Sequence, residues 1–284
     1  MFRDVTLGQY YPADSFVHRM DPRIKILLNI LYLVGIFFIK SYFGFAIVLM
    51  FLCVAILASK VPVGSVLRSV KGIMVLVLIT GILNIFFYTG ETILWSWWII
   101  VIYKESLIFA SQMILRLVFL VVGASLLTLT TTPVDLTHAI ESLLKPLTLI
   151  KFPVHELALI MSLALSFIPT LIEETDRIVR AQKARGAAFD TGGLVSRAKA
   201  FIPILIPLLV SSFRRADELA LAMNSRCYEG STNRTKMHKI TLSWRDLVGT
   251  MVTAVFFTGI FVLYTWITST TPLIPALPYN WLYL

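Results

Sequence analysis

Two short stretches of this sequence place a lone arginine between small neighbours. The first is Ala184-Arg185-Gly186, and the second, 41 residues further along, is Ser225-Arg226-Cys227. An arginine without bulky neighbours can extend freely, and its planar guanidinium suits a carboxylate on another protein. A single such residue near a helix end is more simply explained by the helix dipole or by lipid phosphate. Because the pattern occurs twice, it favours two equivalent binding sites on a partner.

The segments that precede the two arginines repeat each other in pattern. Phe167-Ile168-Pro169 matches Phe201-Ile202-Pro203, and Asp176-x4-Ala181-x3-Arg185 matches Asp217-x4-Ala222-x3-Arg226. Past the prolines the apolar residues recur with a helical period, so we predict two long, crossed helices, each with an apolar seam. Gly186 is expected to end the first helix in a left-handed conformation. The predicted seam of the second helix consists of Leu205, Leu209, Ser212, Ala216, Leu219, Ala220 and Met223.

No combination of side chains in the sequence points to catalysis. The histidines are dispersed, and neither a Cys-x2-Cys nor a His-x3-His spacing occurs, so we predict no metal site. A phosphate-binding GxxxxGK[ST] loop is also missing, so the chain is not expected to hydrolyse ATP. Arg116 lies within an apolar run, where a charge is a functional candidate. Structural pairing, for example with Asn84, and snorkelling are the alternatives.

The composition is that of an integral membrane protein. Of the 284 residues, 57% are hydrophobic and 14% are charged, which is about half the charged fraction of a soluble domain. A spanning helix needs about 20 mostly uncharged residues, and about five runs qualify. We predict an all-α membrane protein with spans at residues 24–39, 43–58, 72–88, 106–130 and 247–267.

The net charge of +9 is distributed along the chain as in a membrane protein, and so does not indicate nucleic-acid binding. Four Lys or Arg residues lie in 1–25, three in 60–71 and fifteen in 131–247, whereas the opposite loops hold only Lys40 and Lys104. With five spans, all three basic clusters fall on one side, as the positive-inside rule requires. The N-terminus is therefore predicted to be cytoplasmic and the C-terminus external.

This topology divides the chain into five predicted regions. Two apolar stretches inside the charged region, 157–172 and 201–213, could be mistaken for spans, but crossing as a pair would place six Lys or Arg residues outside. We predict that both lie on or slant into the inner membrane surface. The regions are a cytoplasmic N-terminal segment at 1–23, four spans within 24–130, a cytoplasmic region of two coupling helices at 131–246, a fifth span at 247–268 and an external tail at 269–284.

The arginine motifs and the N-terminal segment together resemble a known family, the transmembrane T components of energy-coupling factor (ECF) transporters, including related cobalt-uptake permeases. The N-terminal match is YYPADSFVHRMDPRIKIL, with the signature Asp14-Ser15, His18-Arg19 and Asp21-Pro22-Arg23-x-Lys25. We expect Asp21 to cap the opening helix with Pro22 in its first turn, and Arg23 and Lys25 to bind the inner headgroups. The second arginine motif departs from the commoner Ala-Arg-Gly of the family.

The resemblance implies a non-catalytic scaffold for micronutrient uptake, commonly of a vitamin or a transition-metal ion. A separate membrane-embedded S component would bind the nutrient, and ATP and Mg would be bound only by two partner ABC-type ATPase subunits. The complex would lie in a prokaryotic cell membrane, and this chain would hold no cofactor. The alternative is a stand-alone secondary transporter driven by an ion gradient, which should show ionisable residues within its spans. The resemblance assigns ATPase binding to Ala184, Arg185, Gly186, Ser225, Arg226 and Cys227.

Overall fold

The structure, a computed structural model, describes residues 10–39, 41–90, 92–97, 100–187, 193–228, 230 and 243–270. Its helical content confirms the predicted all-α class. The predictions for residues 1–9 and for the tail from 271 onward lie outside the described residues. The helices of the described part are α1 Pro22–Phe37, α2 Tyr42–Ser59, α3 Val63–Phe87, α4 Lys104–Thr130, α5 Pro133–Leu144, α6 Val154–Ala184, α7 Leu194–Asn224 and α8 Trp244–Thr270, with a 3-10 helix at Lys145–Ile150.

The described residues form two compact units. One unit contains residues 10–131 and 243–270, and so includes α1 to α4 and α8. The other contains residues 132–230, and so includes α5, α6 and α7. We call them the span unit and the motif unit, because the second carries both arginine motifs.

The set of helices able to cross a bilayer differs from the predicted spans. Within the described residues, α2, α3, α4 and α6 are long and apolar enough to cross. The first predicted span forms α1, whose 16 residues cover only about 24 Å, and the fifth forms α8, which is outside this set. The stretch 157–172 belongs to α6, whose length and hydropathy would also suit a crossing. Its assignment to the membrane surface therefore depends on the charge distribution alone.

A β-hairpin lies between α3 and α4 and was not part of the predicted all-α class. Strand β1, Ile93–Trp97, pairs antiparallel with β2, Ile100–Tyr103, with Trp97 opposite Ile100. The run is rich in β-branched and aromatic residues, which favour strands, and that signal was missed.

Close packing of α1 against α4 forms the centre of the span unit. The Tyr32 hydroxyl donates to the Phe119 carbonyl at 3.0 Å, and the Asn29 amide donates to the Gly123 carbonyl at 2.8 Å. A Cβ at Gly123 would collide with the Tyr32 ring, so only glycine lets the two helices approach this closely. Helices α2 and α8 extend this core through the stacked rings of Phe51 and Phe256, whose centroids are 4.2 Å apart.

The N-terminal signature folds into a buried polar junction at the start of α1. Asp21 caps the helix by accepting from the Arg23 amide at 2.9 Å, and Pro22 occupies the first turn, as predicted. Lys25 departs from the prediction, because it is 7% exposed and not available to headgroups. Its ammonium donates to the carbonyls of His18 and Thr130, both at 3.1 Å, and to the Thr131 hydroxyl at 3.4 Å. The junction thereby joins the start of α1 to the end of α4.

Asp246, in the first turn of α8, completes this junction and was not identified from the sequence. Its side chain is 1% exposed. One carboxylate oxygen accepts from the Asp21 amide at 2.6 Å, and the other accepts from the Ser243 amide at 2.7 Å. One carboxylate therefore caps the start of α8 and fixes the chain where it enters α1.

Lys25→Met should destabilise the span unit, although methionine keeps the apolar stem of the side chain. The change leaves the buried carbonyls of His18 and Thr130 without this donor, at a cost of about 1 to 3 kcal/mol for each group left unpaired. The measurement is the thermal unfolding midpoint of the full chain in detergent. Lys71→Met, which removes an equal charge from an exposed position, is the matched control. Equal midpoints for the two variants would contradict a structural role for Lys25.

His18 should make the stability of the junction pH-dependent. Burial lowers the pKa of this imidazole from its usual 6.5, and the neutral ring donates through Nε2 to the Tyr11 carbonyl while Nδ1 accepts from Ser15. As pH falls, the unfolded chain binds the proton first. The stability that the neutral His18 ring contributes is therefore fully present above pH 6.5. It is lost as pH falls through the lower pKa of His18 in the folded chain. His18→Gln should flatten this acid dependence of the unfolding midpoint, and an unchanged slope would contradict it.

Candidate functional site

Two helices of equal length form the body of the candidate site. Both α6 and α7 contain 31 residues. The apolar period that predicted these helices was read past the prolines, and the structure places Pro169 inside α6, and Pro203 and Pro207 inside α7. A proline inside a helix removes one hydrogen bond and tends to kink it. Here each helix continues through its prolines because long helical segments flank them on both sides.

Contacts between α6 and α7 show that the two helices pack antiparallel. The guanidinium of Arg215 lies over the Phe167 ring, 5.9 Å from its centroid, and the Gln182 amide donates to the Pro203 carbonyl at 3.5 Å. Pro207 has no N–H to offer that carbonyl, so the donor comes from the neighbouring helix instead. Gln182, late in α6, thus contacts Pro203, early in α7, whereas Phe167 contacts the later Arg215. The C-terminal ends of the two helices therefore lie at opposite ends of the pair.

The face of α7 that is turned inward is offset from the predicted seam. Ile204 is buried and Leu208 is half-buried, whereas Leu205 and Leu209 are 63% and 55% exposed. Leu219 and Met223 of the predicted seam are half-buried as expected. The apolar residues wind around the helix, so their period alone did not determine which of them face α6. A second apolar face remains exposed and consists of Phe201, Ile202, Leu205, Ile206, Leu209, Val210 and Phe213.

The first arginine motif closes α6 through a pair of backbone hydrogen bonds. Gly186 takes the left-handed conformation predicted for it, with φ of 86°. Its amide donates to the Lys183 carbonyl, and the Ala187 amide donates to the Gln182 carbonyl, both at 3.0 Å. This is the Schellman arrangement, in which two residues beyond the helix satisfy its last carbonyls. Arg185 is the cap residue of that arrangement.

The second arginine motif closes α7 in the same way, with cysteine in place of glycine. The Cys227 amide donates to the Asn224 carbonyl at 3.0 Å, and the Tyr228 amide donates to the Met223 carbonyl at 3.2 Å. Cys227 is left-handed, with φ of 55°, a conformation that costs a residue with a Cβ roughly 1 to 2 kcal/mol. The sequence did not predict this, because cysteine carries no signal for positive φ. Arg226 thus occupies the backbone position that Arg185 holds in α6.

Both arginines are free to bind an external partner. Arg185 and Arg226 are exposed, as are the four residues beside them in the motifs. Among the ion pairs of the described residues, none involves either guanidinium. The Ser225 hydroxyl turns back to the Ala222 carbonyl at 3.0 Å, so it does not compete for the neighbouring arginine. For the residues that the structure describes, the geometry thus presents two cations without an ionic partner in equivalent backbone settings.

Arg116 is partly buried and contacts other residues of the span unit. Its guanidinium donates to the Ile39 carbonyl at 2.9 Å and lies 5.9 Å from the centroid of the Phe37 ring. It therefore pairs with the carbonyl end of α1, which supports the structural alternative of the sequence analysis. Asn84, suggested as its partner, donates to the Thr80 carbonyl within α3 at 2.8 Å.

The motif unit also brings together histidines that are far apart in sequence. His138 and His155 lie 3.8 Å and 3.3 Å from the Glu141 carboxylate, which links α5 to α6. Within the described residues, no group of three acidic, histidine or cysteine side chains is arranged to hold a metal ion.

These features define a class of protein: an all-helical membrane protein that carries two exposed arginines at equivalent ends of an antiparallel helix pair. Comparison with known proteins agrees with that class. The family model described as "CbiQ: Cobalt transport protein" matches residues 13–238, which include both arginine motifs.

Relatives of high identity specify the family further. The chain is 51% identical over 252 residues to the energy-coupling factor transporter transmembrane protein EcfT of Clostridium kluyveri, covering 88% of this chain and 93% of that protein. It is 48% identical over 263 residues to the protein of the same name from Ruminiclostridium cellulolyticum, covering 93% and 98%. The chain therefore belongs to the CbiQ/EcfT family of energy-coupling factor transporter transmembrane proteins.

The left-handed residue of each motif should control how firmly its helix end is held. Cys227→Gly removes the Cβ strain at positive φ, and Gly186→Ala introduces it, with nothing within 4 Å of the added Cβ. A change of about 1 kcal/mol in local opening corresponds to roughly fivefold in amide exchange. We expect slower exchange of the Tyr228 amide in Cys227→Gly and faster exchange of the Ala187 amide in Gly186→Ala.

Cys227→Ala is the matched control for this measurement, since it removes the sulfur but keeps a Cβ. The Tyr228 amide should exchange in Cys227→Ala as it does in the unchanged chain. Equal protection in the Ala and Gly variants would show that the thiol, and not the backbone conformation, limits the stability of this end.

Proposed function

We propose that this chain is the scaffold of an ECF-type ABC importer for a vitamin or another micronutrient. In this proposal two ABC-type ATPase subunits bind the chain at Arg185 and Arg226, one at each motif. A membrane-embedded S component binds the nutrient, and this chain transmits the ATP-driven motion of the ATPases to it. The chain itself is non-catalytic, and ATP and Mg belong to the ATPases.

The observation that carries the proposal is the equivalence of the two arginine ends. Identical backbone closures place Arg185 and Arg226 in the same setting, so two copies of one groove could accept them. Because α6 and α7 are antiparallel, the motifs lie of the order of 40 Å apart along the pair at 1.5 Å per residue. That separation leaves room for one globular subunit at each motif.

Arginine suits such docking for a chemical reason. Its guanidinium presents donors in a planar fork that matches a carboxylate with two parallel hydrogen bonds. The small residues beside each arginine let a groove close around the fork. Truncation of either side chain would leave a carboxylate of the ATPase buried and unpaired.

The second apolar face of α7 supports the proposed contact with the S component. Its large exposed residues include Phe201, Leu205 and Phe213, which are 57%, 63% and 66% exposed. Patches of this kind mark contacts with a membrane or with another protein. We assign this face to the S component and the adjoining lipid. Movement of the ATPases at the helix ends would then displace the surface against which the S component rests.

The family relationship and the charge distribution support the location. The chain is a membrane protein, and we place it in the prokaryotic cell membrane. Its N-terminus and the two coupling helices, α6 and α7, would lie in the cytoplasm. The basic residues of 131–247 favour that side under the positive-inside rule. ATP is available there to the proposed partners.

Arg185→Ala and Arg226→Ala should each weaken ATPase attachment by about 2 to 5 kcal/mol, as for loss of one member of a buried charged pair. The measurement is the dissociation constant of the purified ATPase pair for the detergent-solubilised chain, repeated at rising salt. Arg177→Ala with Arg180→Ala is the matched control, because both arginines are exposed on α6 and neither belongs to a motif. Nutrient uptake should fail in the motif variants while membrane insertion remains normal.

Two outcomes would contradict the proposal. Undiminished co-purification of the ATPases with the Arg185→Ala, Arg226→Ala double variant in high salt would exclude docking through the motifs. Nutrient uptake by this chain alone in liposomes, driven by an ion gradient without ATPases, would establish the secondary-transporter alternative.

A further inference from the structure

A small basic cavity of the span unit has no part in the proposed docking. Its volume is about 270 Å³. Three cations from distant parts of the sequence meet there: Arg19 of the N-terminal signature, Lys60 after α2, and Arg245 in the first turn of α8. The remaining lining residues are Asp14, Ser15 and Phe16.

Two of the three cations have no carboxylate partner within the described part of the chain. Arg19 pairs with Asp14 at 3.1 Å, and both side chains are largely exposed. Among the residues that the structure describes, no ion pair or hydrogen bond involves the side chain of Lys60 or of Arg245. Arg245 is half-buried, so its charge is only partly relieved by water. The cavity therefore carries an excess of positive charge that favours an anion.

The backbone holds Lys60 at the carbonyl end of α2. Lys60 is left-handed, with φ of 55°, and its amide donates to the Leu57 carbonyl at 3.2 Å. This closure ends the helix and turns the chain towards α3. The backbone position of Lys60 is thus set by a tight turn at the helix end rather than by a free loop.

The surface beside the cavity identifies the level of the membrane at which it lies. Met50, Val54 and Leu57 form a stripe along α2 at helical spacing and are 66%, 54% and 76% exposed. A helix of this composition faces hydrocarbon on its exposed side. The stripe ends one turn before Lys60, and a cation at the end of an apolar stripe is typical of the headgroup level. An anion in the cavity would therefore lie beside the acyl chains of the adjoining leaflet.

We propose that this cavity binds the phosphate of an anionic phospholipid, held by Lys60 and Arg245. Arg19 takes part only when it is released from Asp14, so Asp14 acts as an internal competitor for the site. The cavity is large enough for a phosphate with part of its headgroup, and the α2 stripe receives the acyl chain. Inorganic phosphate offers the same chemistry without the chain and is the soluble ligand that the test must distinguish.

The test measures retention of phosphatidylglycerol by the purified full chain in detergent, by native mass spectrometry over a lipid titration. Lys60→Gln with Arg245→Gln should weaken binding by about 30-fold, from the usual contribution of a basic residue near an anionic membrane surface. Arg68→Gln with Lys71→Gln is the matched control, since both residues are exposed in the first turns of α3 and lie outside the cavity. The control should retain lipid as the unchanged chain does.

Asp14→Asn provides a second variant that does not depend on the first. Removal of the competing carboxylate frees Arg19 and should tighten phosphatidylglycerol binding. Binding of phosphatidylcholine, whose choline cation offsets the charge of its phosphate, should change much less across the variants.

Three results would overturn the proposal. They are equal loss of phosphatidylglycerol in the cavity and control variants, unchanged binding in Asp14→Asn, and displacement of the lipid by an equal concentration of inorganic phosphate. The last would assign the cavity to a soluble anion instead.

Discussion

The buried ammonium of Lys25 constrains how the span unit can be assembled. A charge removed from water is costly unless hydrogen bonds replace its hydration. The partners of Lys25 include the His18 carbonyl before α1 and the Thr130 carbonyl at the end of α4. The N-terminal segment must therefore fold back on α4, and the Tyr11 amide donates to the Leu129 carbonyl beside it. Asp246 extends the same constraint to α8 through the Asp21 amide.

This junction explains why the N-terminal signature combines charged residues with a helix start. A membrane anchor would need only basic residues at the headgroup level. Here Asp21 caps α1 while its own amide binds Asp246, and Lys25 turns inward one turn later. The residues of the signature thus join three helices, α1, α4 and α8. The charges left outside it, Lys60 and Arg245, are available to the lipid phosphate that we propose.

In the motif unit, by contrast, the important property is backbone conformation at two exposed ends. The left-handed residue allows the last carbonyls of each helix to be satisfied, so that Arg185 and Arg226 stand free of the helix interior. Gly186 does this without strain, whereas Cys227 adopts a conformation unfavourable to a residue with a Cβ. Strain of this kind persists where function requires it. The same closure, formed with a costlier residue, is consistent with a partner that recognises the backbone shape as well as the charge.

Periodicity and composition were sufficient for features that depend on one helix at a time. They predicted the all-α class, the Asp21 cap with Pro22 behind it, and the left-handed Gly186. They failed where a second element decides the outcome. Lys25 was expected to bind headgroups, but it is buried because the carbonyls of His18 and Thr130 accept hydrogen bonds from its ammonium. The hairpin at 93–103 was missed because its stability depends on pairing between strands.

By itself the sequence determined that this chain is a helical membrane protein with two matched arginine motifs, because hydropathy, charge asymmetry and capping are local properties. Only the tertiary structure decided that Lys25 is buried, that Leu205 faces outward, and that the motifs lie at opposite ends of an antiparallel pair. Each of these depends on which acceptor or neighbouring helix a side chain meets. That choice is made by contacts between residues as far apart in the chain as Lys25 and Thr130, and no local pattern records it.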